Sequence, residues 1–124
     1  TLVVEAINKA IAAKTGDRVF LPISSSPYNK SSTEAEADFE EAETISLDHL
    51  VERTGSIDLL KIDCEGAEYE VFLNCRSETL RLIRKVRMEL HPVKGFAKSD
   101  VINRLQENGL KMKKQANMIY WFER

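Results

Sequence analysis

The sequence predicts an α/β fold: a mostly parallel sheet crossed by helices and ended by an antiparallel hairpin. Three observations carry that prediction. "IDLLKID" (57–63) and "KVRMELHP" (85–92) have apolar strand bodies with polar ends. Helical patterns lie between and after them, and strands alternating with helices argue for parallel pairing through crossovers. "LKMKK" and "MIYWFER" then follow each other across a short "QAN", which reads as a hairpin.

In chain order, residues 2–12 ("LVVEAINKAIA") fit a strand or a helix equally well. Lys14–Asp17 is a turn, with Gly16 free to take a positive φ. "RVFLPIS" is a strand that Pro22 restricts to an edge. Ser24–Thr33 is a polar loop, and the acidic run "EAEADFEEAE" (34–43) is a mobile surface segment. "ISLDHLVERTG" is a helix capped by Ser46 and stopped by Gly55, with Asp48 favoured at its positive end. After the strand 57–63, with Leu59, Leu60 and Ile62 in its core, "GAEYEVFLN" is a helix opening at Gly66. "SETLRLI" adds a turn or two capped by Ser77. In "KVRMELHP", Val86, Met88 and Leu90 occupy one face and Arg87, Glu89 and His91 the other. A helix runs from Ser99 to a stop at Gly109. The 124 residues suffice for one domain with one core.

Composition narrows the function classes. No apolar run approaches the roughly 20 residues of a membrane span, and no signal peptide is read at the start, so no membrane partner is expected. Cys64 and Cys75 form no CxxC and, with His49 and His91, no paired zinc pattern. Reduced thiols and a cytoplasmic location are expected. Residues 1–75 carry 15 acids and 6 bases, and residues 76–124 carry 5 and 12. The basic residues, Arg81 to Arg87 and Lys111 to Lys114, mostly alternate with apolar ones, which reads as a solvated face. A nucleic-acid surface would need them gathered around aromatic platforms. Tyr120–Trp121–Phe122 reads as a core strand instead, so no nucleic acid is expected.

The chemistry concentrates in "DLLKIDCEGAEYEV" (58–71) and in the end of the next strand. Open α/β sheets bind ligands beyond the carboxyl ends of their strands. Lys61, Asp63 and Glu65 share a face if the first strand stays extended, as do Glu89 and His91 on the second. Parallel neighbours lie about 4.8 Å apart, so these groups can meet in one cleft. Such a cluster suits a general base, a divalent-metal site or a cradle for a cationic ligand. On the simpler reading of each residue, Lys61 neutralises Asp63 or Glu89, Glu68 and Glu70 face solvent, His49 is on the surface and Cys64 is in the core.

"ISLDHLVERTGSIDLLKIDCEGAEYEVF" followed by "VRMELHP" resembles the FkbM family of S-adenosylmethionine-dependent methyltransferases. The shared segments are Ser46–Leu47–Asp48, then Lys61–Ile62–Asp63–Cys64–Glu65–Gly66–Ala67–Glu68, then Glu89–Leu90–His91. "INKAIAAKTGDRVFLP" is similar to the family's third strand and following turn, so the likeness runs from about Ile7 onward. It implies a partial Rossmann-like, class I methyltransferase sheet. It implies S-adenosyl-L-methionine as cofactor, with Asn8, Ala10 and Asp63 as cofactor-binding residues. Asp63, Glu65, Glu89 and His91 would be catalytic, and the acceptor a hydroxyl of a sugar, glycan or secondary metabolite. A divalent metal is an alternative way to activate that hydroxyl. The five glycines form no glycine-rich cofactor loop, so residues 1–124 are expected to be the C-terminal portion of a single methyltransferase domain, inactive alone. The competing readings are a non-catalytic remnant, self-associating through an open sheet edge, and a metal-dependent hydrolase using Asp63 and Glu65.

Overall fold

The computed structural model describes residues 2–22 and 39–124; the Ser24–Thr33 loop and the first part of the acidic run lie outside them. The described residues form a mixed α/β fold with two sheets. Strands β1 (Ala10–Ala12), β2 (Arg18–Pro22) and β3 (Phe39–Ser46) make the first, in the order β1-β3-β2. β1 runs parallel to β3 and β2 antiparallel to it. Residues 2–9 form neither strand nor helix.

Phe39–Glu43 was expected to be mobile surface and is strand instead. The glutamates need no burial there: Glu40, Glu41 and Glu43 point to water, Arg18 Nε lies 3.5 Å from Glu41, and β2 satisfies the backbone. The strand also takes Ile45 and Ser46 from the expected helix, so α1 is Leu47–Thr54. Ser46 caps it as expected, accepting from the His49 N–H at 3.1 Å. Hydroxyls tie the Lys14–Asp17 turn to the end of β3. Thr44 donates to the Lys14 carbonyl (2.7 Å) and accepts from the Asp17 N–H (2.9 Å), and Thr15 accepts from the Ser46 N–H (2.9 Å).

The second sheet contains β4 (Leu60–Ile62), β5 (Lys85–Glu89), β6 (Lys111–Ala116) and β7 (Ile119–Glu123), in the order β4-β5-β7-β6. β4 and β5 are parallel, with Leu60 opposite Val86 and Ile62 opposite Met88. β7 is antiparallel to both β5 and β6, Trp121 facing Lys114 across the hairpin. The turn is Asn117–Met118, because Gln115 and Ala116 remain in β6; Asn117 takes φ +54°. All six residues of β6, which forms one edge, are exposed.

Helices α2 (Glu68–Asn74), α3 (Ser77–Arg81) and α4 (Lys98–Glu107) complete the fold. Ser77 and Ser99 lie inside α3 and α4 rather than capping them, and the cap positions, Arg76 and Ala97, make no side-chain cap bond. Val86, Met88, Leu90, Tyr120 and Phe122 bury one side of the sheet against Tyr69 and Phe72 of α2 and Val101 and Leu105 of α4. Each such side chain contributes about 1.5–3 kcal/mol by burial. Trp121 points to the other side and is only half-buried. The strand body at 57–63 is shorter than its apolar run. Ile57 makes an isolated bridge to Ile83, and Leu59, expected in the core, is 48% exposed.

Candidate functional site

The strand ends at Ile62, and the chain then turns sharply at Glu65–Ala67. Glu65 and Gly66 both have positive φ, +54° and +112°. Lys61, Asp63 and Glu65 therefore do not share one extended face, and α2 opens at Glu68 rather than Gly66. The turn nevertheless curls the acidic residues toward the end of β5. His91 Nε2 lies 3.9 Å from Asp63 Oδ1, 3.6 Å from Glu65 Oε2 and 3.7 Å from Glu89 Oε1. The structure thus brings together the four residues expected to be catalytic.

The sequence reading missed a fifth. Glu68, expected to face solvent, is fully buried. Its carboxylate accepts from the Cys64 N–H at 2.6 Å and the Gly66 N–H at 2.8 Å. It also lies 3.6 Å from His91 Nδ1, a buried atom with no hydrogen-bond partner among the described residues. A tight turn of this kind leaves N–H groups pointing inward. The acid two to four residues further on is their natural acceptor, and that is the signal in the sequence. Tyr69 fixes the other end of the histidine, its hydroxyl donating to the His91 carbonyl at 2.6 Å.

The histidine thus has two unlike sides. Nδ1 faces a buried carboxylate, and Nε2 faces three more accessible ones. Asp63 and Glu89 line a cleft of about 270 Å³, together with Lys61, Ile62, Arg87 and Trp121. A larger hollow of about 660 Å³, bounded by Ala12, Lys14, Thr44, Glu70 and Phe96, shares none of these residues. Asn8 is exposed ahead of β1 and Ala10 begins that strand; neither lines the cleft. Lys61 stays exposed, and Asp63 and Glu89 lie closest to His91, not Lys61, among the described residues.

The field of these acids reaches Cys64, which is half-buried rather than in the core. Burial first, then the charges of Glu68 and Asp63, push its thiol from 9.0 up to about 12. Asp63, Glu68 and His91 each offer one ligand atom, all within 4.8 Å of one another, a spacing that a divalent cation could bridge. Among the described residues no helix is long and apolar enough to cross a membrane.

Comparison with curated proteins and with solved structures finds no match. The family model of the methyltransferase FkbM domain matches residues 3–112, a span that holds every residue of the His91 cluster and most of the chain. The chain therefore belongs to the FkbM methyltransferase family.

Proposed function

We propose that the His91 cluster supports methyl transfer from S-adenosylmethionine to a hydroxyl oxygen of a sugar or other polyhydroxylated small molecule. The observation that carries this reading is the meeting of His91 Nε2 with Asp63 and Glu89 where β4 and β5 end. When bound, S-adenosylmethionine supplies an electrophilic methyl carbon on a sulfonium centre. The donor set suits it, since carboxylates favour a nearby cation. Asp63 is the proposed contact on this side, and Asn8 and Ala10 are those the family pattern assigns near β1.

A hydroxyl is a weak nucleophile until its proton leaves. With the cofactor bound, the hydroxyl oxygen would take its methyl group, leaving a neutral thioether, and the hydroxyl proton would pass to a base. His91 Nε2 is the proposed base. Glu68 faces the opposite ring nitrogen and stabilises the imidazolium as it forms. Asp63 and Glu89 would hold and orient the acceptor hydroxyl beside His91. Glu65, 84% exposed at its side chain, adds field rather than contact.

His91→Gln and Asp63→Asn, made in the longest expressed form of the protein, test this. Methyl transfer should fall about 10²–10⁴-fold, the usual contribution of a positioned base, while calorimetry shows unchanged cofactor affinity in His91→Gln and weakened affinity in Asp63→Asn. Undiminished turnover in both variants would remove these residues from the reaction. Residues 1–124 alone should bind the cofactor no more tightly than about millimolar, a standard free energy near −4 kcal/mol. They contain no glycine-rich loop, and an exposed charge contact gives only about 1 kcal/mol or less.

A further inference from the structure

One row of side chains crosses the outer face of the second sheet. Lys61 sits opposite Arg87, Arg87 opposite Trp121, and Trp121 opposite Lys114. With strands about 4.8 Å apart, three cations and an indole form a continuous band. The Arg87 guanidinium carbon lies 4.2 Å from the Trp121 ring centroid, and Lys114 Nζ lies 4.9 Å from it. Stacking fixes the guanidinium plane and consumes none of its N–H donors. Among the described residues no carboxylate pairs with Lys61 or Arg87. The acids two residues further along, Asp63 and Glu89, face His91 instead. A guanidinium stacked on an indole, beside an ammonium that no carboxylate among the described residues pairs, has the geometry of a receptor for carboxylate or phosphate.

The row is continuous with the proposed chemistry. Lys61, Arg87 and Trp121 line the same cleft of about 270 Å³ as Asp63 and Glu89. Arg87 and Glu89 are two residues apart within β5, about 7 Å on an extended strand, and Asp63 follows Lys61 just beyond the end of β4. A ligand with its acid group at the basic end therefore presents a hydroxyl at the acidic end, about one sugar ring away. The reverse orientation sets anion against carboxylate.

We propose that the methyl acceptor is an acidic molecule of monosaccharide size. Lys61 and Arg87 hold its carboxylate or phosphate, and one hydroxyl is directed toward His91. The identification as acceptor rests on the methyl-transfer reading above; the binding itself does not.

Trp121 is the only tryptophan in the sequence, so its fluorescence reports on this row directly. The protein is titrated with glucuronate, glucose 6-phosphate and glucose at constant ionic strength. At least one acidic sugar should change the emission at concentrations about tenfold below those needed for glucose. Which acid does so distinguishes carboxylate from phosphate. Lys61→Gln leaves the Arg87–Trp121 stack in place and should weaken that response about tenfold, with the glucose response unchanged. Arg87→Gln should weaken it too. No response to either acid, equal responses to all three sugars, or an unchanged titration in Lys61→Gln would overturn the proposal. None of these readings requires turnover. A protein that binds acidic sugars here yet transfers no methyl group would refute the reaction and leave the receptor standing.

Discussion

A carboxylate with no solvent exposure needs a structural reason, and for Glu68 it is the turn it closes. Both oxygens accept backbone N–H groups, from Cys64 and Gly66. Hydrogen bonds to a charged group contribute roughly 1.5–3 kcal/mol each, and their loss leaves two donors unsatisfied. Glu68→Ala should therefore cost about 3 kcal/mol or more in urea unfolding. Glu68→Gln should cost less, because one amide oxygen still accepts. Helical pattern hid this residue: an acid in the first turn of an amphipathic helix ordinarily faces water. Asp63, Glu89 and His91 were legible because polar groups at the ends of apolar strand bodies have few structural uses. The same acids govern a second measurement. Cys64, raised to about 12, stays a thiol at neutral pH. Its alkylation by iodoacetamide at pH 8 should be far slower than that of the unfolded chain, and faster in Glu68→Gln. Cys75 is likewise raised to about 11, first by burial and then by Asp48. Between 9.0 and these values the unfolded chain releases protons that the folded one keeps. The thiols' contribution to stability is therefore complete below about pH 9 and is lost as pH rises through 11 to 12.

At the scale of elements, β4, β5 and β7 were readable because their apolar residues alternate or cluster as a half-buried sheet demands. β3 was not, because its first half is acidic; what makes it a strand is pairing with β2, a contact 20 or so residues away in sequence. The turn after β4 depends on Gly66. A Cβ there would stand 2.9 Å from Val93 Cγ2, at a φ of +112° that side chains rarely adopt. Gly66→Ala should destabilise the fold by about 1–3 kcal/mol and displace Glu65 and Glu68 from His91, read by calorimetric melting. At the far end of the molecule one side chain joins three elements. Arg124, which follows β7, donates to the carbonyls of Ile83 (2.9 Å), Asn108 (2.8 Å) and Leu80 (2.5 Å). Leu80 is in α3 and Asn108 ends α4, so the guanidinium satisfies carbonyls where helix dipoles are negative. Arg124→Ala should cost about 2 kcal/mol. Lys at the same position should recover less than half, since a point charge cannot span three acceptors.

For the whole molecule, the sequence reading of an α/β chain with a closing hairpin holds, but the expectation of a mostly parallel sheet does not: among the described residues three of the five strand pairings are antiparallel. The division of the strands into two sheets was invisible, because it depends on which strands meet and not on what any one of them contains. The charge imbalance between the two halves is partly a feature of the sheet: Lys61, from the acidic half, joins Arg87 and Lys114 across the strands. Period-two reading placed Arg87 on the outward side; it could not show that Lys61 shares its register, or that the irregularity between Met112 and Lys114 brings Lys114 opposite Trp121. The same sheet ends at β6, whose six residues are all exposed and whose outer edge has no neighbour among the described residues. Such an edge invites another strand, yet β6 carries Lys111, Lys113 and Lys114. Two molecules approaching edge to edge bring ammonium groups together. Salt weakens that repulsion, since the screening length falls from about 30 Å at 0.01 M to about 3 Å at 1 M. Solubility should accordingly decline as ionic strength rises. Light scattering should grow with added chloride, and acetylation of the lysines should cloud the solution even at low salt.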